Sequence, residues 1–167
     1  PTFDNLLSTY SVEENQTAIT TVAGSDVDED SLTIALSGTD AASFNLSTSN
    51  VLTFVDAPDY ETRTSYVITL AVSDESETTS KDITILVTNV NDIAPVISSA
   101  ATFSAAENQI AIGSVVATDA EDDPLTYSVS GTELAISSSG VLTFVAAPDY
   151  ETKSSYTATI VASDGTN

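Results

Sequence analysis

The chain contains no cysteine, histidine, methionine or tryptophan, and only three basic residues. Without His and Cys there is no Ser-His-Asp or Cys-His catalysis, no His₃ or Cys₄ zinc site, no haem ligation and no disulfide. Any metal must therefore be held by oxygen. Lys+Arg number 3 against Asp+Glu 25, for a formal net charge of −22. Such a surface repels phosphate backbones and anionic lipid heads, which sets nucleic acid and direct membrane insertion aside and makes divalent cations the natural counter-partners. No apolar run approaches the roughly 18–20 residues of a membrane helix, no window sustains helical periodicity, and the sequence does not open on a basic, apolar signal region. What is present is a hydrophobic content of 41%, too high for a disordered acidic tail. A length of 167 residues allows one or two domains with real cores.

Internal repetition decides the organisation. The first half reads Val12-Glu13-Glu14-Asn15-Gln16, then Ser25-Asp26-Val27-Asp28-Glu29-Asp30, Val51-Leu52-Thr53-Phe54, Ala57-Pro58-Asp59-Tyr60-Glu61-Thr62 and Ala71-Val72-Ser73-Asp74. The second half returns these in order as Ala106-Glu107-Asn108-Gln109, Thr118-Asp119-Ala120-Glu121-Asp122-Asp123, Val141-Leu142-Thr143-Phe144, Ala147-Pro148-Asp149-Tyr150-Glu151-Thr152 and Ala162-Ser163-Asp164. Front landmarks are offset by 93 residues and rear ones by 90. The shortening falls where Thr39 to Asn50 is matched by Thr132 to Gly140, the tolerance expected of a surface loop. The predicted domains are residues 1–94, including a connector at 89–94, and residues 95–167.

Each copy carries short runs rich in β-branched residues: Leu32 to Leu36, Val51 to Val55, Tyr66 to Val72 and Ile83 to Val87. Alternation puts Tyr66, Ile68, Leu70 and Val72 on one face of a strand, and Ile83, Ile85 and Val87 on one face of another. Turn residues separate the runs at roughly the 8–12-residue spacing of an all-β sandwich. The fold class is therefore all-β, two tandem immunoglobulin-like Greek-key sandwiches. The second copy stops at Asn167, where the first continues through Val90, so it is expected to lack its last strand and to leave a sheet position unpaired.

Acidic residues sit at positions fixed by the repeat, mostly in turns or at strand ends. Ca²⁺ takes six to eight oxygens, mixing carboxylates with carbonyl and amide oxygens. In extended backbone, residues i and i+2 point the same way, so the Asp59/Glu61, Asp119/Glu121 and Asn91/Ile93 spacings are expected to aim paired groups at one point. Isolated acidic residues in loops usually only solvate a surface, but solvation alone would not preserve Asp-x-[Asp/Glu] and Pro-Asp-Tyr-Glu together in both copies. Asp26-Val27-Asp28-Glu29-Asp30 opens like an EF-hand loop, yet Ser31 and Ser37 stand where that loop needs Gly and Glu, which discards that reading.

Taken together, Glu14-Asn15, Asp59-x-Glu61, the connector Asn89-Val90-Asn91-Asp92-Ile93-Ala94-Pro95, the Asp119-Ala120-Glu121 step and Ser163-Asp164-Gly165 resemble tandem cadherin repeats of the bacterial cadherin-like type. The resemblance spans essentially the whole chain. It implies a cluster of two to three Ca²⁺ ions at the inter-repeat junction. By motif position, Glu14, Asp59, Glu61 and Asp92 would be ligands on the first side. Asn91, Asp119, Glu121 and Asp164 would complete the set, with Asn89 and Ile93 lending main-chain oxygen. Equivalent groups are Asp26, Asp28 and Asp74 in the first copy, and Glu107, Asp149 and Glu151 in the second. Departures from the family pattern are Asn89 in place of Asp, Glu121 in place of Asp, and Asp122-Asp123-Pro124 in place of Gly-x-Asn, with Asp123 a possible substitute ligand. The absence of Trp removes the N-terminal Trp exchanged by many vertebrate adhesive cadherins.

The function this implies is a calcium-rigidified adhesion or spacer module of a large exported bacterial protein, extracellular or at the cell surface. Its partners would be neighbouring repeats of the same chain, with homophilic protein contacts or polysaccharide as further candidates. The alternative is a calcium-dependent carbohydrate-binding module of a polysaccharide-degrading system. Catalysis is not expected, because acidic groups duplicated at equal positions suit ligation better than an acid/base pair in unequal environments. Tyr60, Tyr66, Tyr150 and Tyr156, which recur in register, are expected to pack in the cores.

Overall fold

The computed structural model describes every residue from Pro1 to Asn167. Strands supply almost all of the regular structure, and the one exception is a 3₁₀ turn at Ala41–Ser43. The chain divides into two compact units, Pro1–Val90 and Asn91–Asn167.

Unit 1 contains β1 (Thr2–Phe3), β2 (Thr9–Glu13), β3 (Ala18–Thr21), β4 (Gly24–Ser25), β5 (Thr33–Ser37), β6 (Phe44–Leu46), β7 (Val51–Phe54), β8 (Ser65–Ser73) and β9 (Thr78–Thr88). One sheet has the order β2-β9-β8-β5 and the other β3-β7-β6, with β1 and β4 as a separate pair. The β2–β9 pairing is parallel over Thr9↔Thr84 to Glu13↔Thr88, whereas β8 runs antiparallel to both β9 and β5. The predicted alternation is realised along β8 and β9. Ile68, Leu70, Val72, Ile83 and Ile85 are fully buried and Val87 nearly so, together with Leu52, Phe54 and Phe44 from the facing sheet and Val22 just beyond β3. Phe44, Phe54 and Tyr66 meet as an aromatic cluster, with ring centroids 4.5, 5.6 and 5.2 Å apart. Gly38, at φ +103°, lets the chain leave β5, because a Cβ there would lie 2.8 Å from the Thr69 amide nitrogen.

Unit 2 contains β10 (Val96–Ile97), β11 (Ala111–Ser114), β12 (Ala117–Thr118), β13 (Thr126–Val129), β14 (Leu134–Ile136), β15 (Val141–Phe144) and β16 (Ile160–Ser163). Its β11-β15-β14 sheet repeats β3-β7-β6, including the register shift, which falls at Ala18/Thr20 in unit 1 and at Ala111/Gly113 in unit 2. Its other sheet is reduced to β13-β16. This sheet is smaller than the sequence pattern implied. Residues 102–106, which correspond to β2, are not a strand, and β16 keeps only the second half of β8. Both segments correspond to stretches that pair with β9 in unit 1. Without that ladder their backbone groups have no strand partner. The buried apolar set of unit 2 shrinks accordingly to Val115 and Leu142.

The region expected to be a surface loop, Thr39 to Asn50, holds structure: the 3₁₀ turn and β6. Unit 2 keeps the corresponding strand as β14, and the residues it drops are those of the 3₁₀ turn. An acid–cation–tyrosine arrangement survives the deletion. Arg63 reaches Asp40 at 2.7 Å and lies 4.1 Å from the Tyr66 ring centroid, while Lys153 reaches Glu133 at 2.6 Å and lies 4.4 Å from that of Tyr156. Tyr60 packs against the core of unit 1, and Tyr156 stacks edge-on against Phe144 at 4.9 Å. Tyr150 departs from expectation and is 65% exposed.

Candidate metal centres

In unit 1, β2 ends at Glu13 and delivers Glu14 into the interior, where it is 2% exposed. The next residue, Asn15, turns the chain at φ +62°, and its N–H donates to the Pro58 carbonyl at 3.0 Å. This draws the Pro58-Asp59-Tyr60-Glu61 segment alongside. The Glu14 carboxylate accepts the N–H groups of Tyr60 and Val90, each at 2.8 Å, so one side chain ties this segment to the exit from β9. Glu14, Asp59 and Glu61 bring carboxylate oxygens within 4.8 Å of one another. Asp59 accepts from the Thr62 hydroxyl at 2.9 Å and the Thr62 N–H at 3.1 Å. These hydrogen bonds hold its carboxyl below the usual carboxylate range.

In unit 2, Asp119, Glu121 and Asp123 likewise converge within 4.8 Å. Asp119 Oδ1 accepts the Glu121 N–H at 2.9 Å and the Asp123 N–H at 3.4 Å. Glu121 Oε2 accepts the N–H groups of Asp92 at 3.1 Å and Ile93 at 2.9 Å, which binds residues 91–94 to unit 2. The other oxygens, Asp119 Oδ2, Glu121 Oε1 and Asp123 Oδ2, are shut off from solvent and accept no hydrogen bond. Asp164, only 9% exposed, accepts the N–H groups of Thr166 and Asn167, and the Asn167 bond leads in lowering its carboxyl below the ordinary range. The Asn167 side-chain amide bridges Asp164 and Asn91, at 3.3 and 3.2 Å.

Two further clusters stand at equivalent places. Asp26, Asp30 and Asp74 gather in unit 1 and Glu107, Asp149 and Glu151 in unit 2. The Pro1 nitrogen lies 3.0 Å from Asp26 and 3.8 Å from Asp74.

Two parts of the sequence reading change. The i, i+2 pairs converge through turns and bends, not through extended backbone. Tyr60 to Thr62 form a turn closed on Asp59, and Asp119 makes an Asx-type turn onto Glu121. The third member of the Asp26–Asp74 cluster is Asp30, with Asp123 its counterpart in unit 2, where the repeat pattern pointed to Asp28. The residues before them, Glu29 and Asp122, adopt φ +62° and +61°, and this left-handed step folds the following aspartate back onto the cluster. Asp28 instead donates its N–H to Asp26 at 2.8 Å. Of the expected main-chain positions, Ile93 donates its N–H to Glu121, and Asn89 directly precedes Val90, whose N–H donates to Glu14.

Residues 91–167, the same span as unit 2, match the family model described as a bacterial Ig domain. No curated protein matches the chain. Among solved structures, human protocadherin-24 EC1-2 superposes with a TM-score of 0.80 at 22% identity, over 97% of this chain and 92% of that one. The chain has the fold of tandem cadherin-like, immunoglobulin-like repeats. These cadherin-like repeats also resemble mouse cadherin-23 EC22-24, with a TM-score of 0.72 at 23% identity over 99% of this chain and 59% of that one. For Drosophila N-cadherin EC1-4 the TM-score is 0.73 at 22% identity, over 92% and 42%. At these identities the likeness is one of fold.

The donor set of the clusters fits calcium. All candidate ligands are hard oxygens, and in unit 2 three of them are solvent-excluded and without a hydrogen-bond donor. Leaving several carboxylate oxygens buried and unpaired is costly, and placing them together adds like-charge repulsion. A divalent cation removes both penalties.

Proposed function

We propose that the chain is a calcium-binding spacer segment of an extracellular, cell-surface adhesion protein, exported from a bacterium. The observation that carries this reading is the triad of partnerless, solvent-excluded oxygens on Asp119, Glu121 and Asp123. Glu14, Asp59 and Glu61 would hold metal in the first repeat. Asp119, Glu121, Asp123 and Asp164 would do so in the second, with Asn91 and Asp92 as side-chain donors and Asn89 and Ile93 as main-chain donors from the connector. Two to three ions would supply positive charge to offset the carboxylates and bonds that fix their positions. Glu14 grips the connector at Val90 and Glu121 grips it at Asp92 and Ile93. Ordering of those carboxylates by metal is therefore ordering of the connector. The consequence is a chain whose folded repeats persist without calcium while the connector between them stiffens with it. Neighbouring repeats of the same chain are the immediate partners, and homophilic contacts suit such a module.

Calcium titration by calorimetry, paired with small-angle scattering in calcium and in chelator, tests this. Saturable binding with a calcium-dependent change in maximum dimension is expected. Absence of binding, or binding with unchanged dimensions, overturns the reading.

A further inference from the structure

The two larger sheets of unit 1 end on four edge strands, β2 and β5 in one and β3 and β6 in the other. An edge strand presents unpaired N–H and C=O groups, and folded proteins blunt it with charge, a bulge, proline or brevity. Three of the four edges are blunted in this way. β2 ends on Glu13 and runs into Glu14, β3 carries the register shift at Ala18/Thr20, and β6 has only three residues. β5 has none of these devices. Its five residues, Thr33 to Ser37, are uncharged, lack proline and pair with β8 in unbroken register. Beyond that ladder their backbone makes no hydrogen bond, so one side of β5 is open. Ile34 and Leu36 pack against the core yet stay only half-buried, while Thr33, Ala35 and Ser37 are exposed on the opposite face.

We propose that β5 is a self-association edge, at which a second copy of this chain adds its own β5 antiparallel about a two-fold axis at Ala35. This rests on the homophilic contact of the proposed function and gives it a surface. The axis sets Ile34 of each copy opposite Leu36 of the other, so each covers apolar surface that the other leaves open, with Thr33 opposite Ser37 and Ala35 opposite itself. Charge argues for this occupant. Two copies of net charge −22 repel, but at physiological ionic strength carboxylates beyond about 8 Å are screened, and every side chain facing another across this seam is neutral. The flanks are complementary as well. Two-fold symmetry brings Asp30, ahead of β5 in one copy, toward the residues that follow β5 in the other, where Arg63 lies 2.7 Å from Asp40. The Arg63 side chain is 43% exposed, and its guanidinium has further N–H donors for a second carboxylate.

Sedimentation equilibrium of the whole chain at physiological ionic strength, in calcium and in chelator, tests this. A reversible dimer is expected in both, with hydrogen exchange at the amides of residues 33–37 slowing as concentration rises. A dimer without calcium binding would sink the metal reading alone, and calcium binding by a strict monomer would sink this proposal alone. Ala35→Lys and Ala35→Glu each set like charges face to face at the axis and should weaken association at least ~10-fold. General repulsion predicts the opposite sign for Ala35→Lys, which makes the chain less negative. An equimolar mixture of the two variants should recover a heterodimer, and that recovery also shows that both are folded. Variants that associate as the parent does, a mixture that stays monomeric, or exchange at residues 33–37 that ignores concentration would each overturn the proposal. So would a parent chain that is monomeric throughout, which would leave this edge to a strand of another protein.

Discussion

Glu14 Oε1 accepts the backbone N–H of Val90 at 2.8 Å, across 76 residues of sequence. The other carboxylate oxygen accepts from Tyr60 at the same distance, so this side chain closes the end of the first repeat before any metal is considered. Glu14→Ala should therefore cost unit 1 about 1–3 kcal/mol even in chelator, since two amides lose their acceptor. Chemical denaturation without calcium measures it, and an unchanged midpoint would show that the two hydrogen bonds contribute nothing net.

The second-repeat triad predicts effects of opposite sign. Asp123→Asn removes one of three crowded charges and should stabilise the metal-free protein by roughly 0.5–1 kcal/mol, the scale of a nearby-charge effect at high effective dielectric. The same substitution should weaken calcium binding by about tenfold or more, because a charged ligand is lost. Thermal unfolding in chelator and calorimetry in calcium read the two effects separately. If both move in the same direction, the triad is not a strained metal site.

Acid should unfold the chain through a defined set of carboxylates. Asp40 is held below its ordinary pKa of 3.8 mainly by the Val67 N–H and then by Arg63, and Asp59, Asp74, Asp149 and Asp164 are lowered by hydrogen bonds of their own. A depressed folded-state pKa adds stability that is complete above the unfolded value and disappears as pH falls through the folded one. Stability in chelator should thus be flat in its carboxylate contribution above about pH 5 and fall progressively below about pH 4. A melting temperature that rises on acidification from pH 4 to pH 3 would contradict the assignment.

Arg63 pairs with Asp40 and covers the ring of Tyr66. Arg63→Ala should destabilise unit 1 by about 1 kcal/mol, the sum expected of a partly exposed ion pair and a cation–π contact. Arg63→Lys should recover part of this, because Lys153 fills the same role in unit 2. Urea denaturation of the two variants provides the comparison.

Much of this was readable in advance because it is local or repetitive. The alternation at Tyr66, Ile68, Leu70 and Val72 places them correctly, and duplication of the Pro-Asp-Tyr-Glu and Asp-x-[Asp/Glu] steps singles out carboxylates that do converge. The features that were not readable depend on backbone sign or on distant partners. Nothing in the residue types of Glu29 or Asp122 announces the positive φ that brings in Asp30 and Asp123. Residues 102–106 and 155–159 have strand-like composition, yet strand pairing is a property of two segments, and the absence of a counterpart to β9 removes both ladders together. The cation over each tyrosine was invisible because its acidic partner lies across the very loop that changes length.

The parallel pairing of β2 with β9 has a mechanical meaning. Tension between the two ends of unit 1 pulls these strands along opposite directions of a shared ladder, and the hydrogen bonds from Thr9↔Thr84 to Glu13↔Thr88 are loaded in shear, all at once. Stretched in a single-molecule force experiment, unit 1 should hold until this shear ladder ruptures and then unfold in one step.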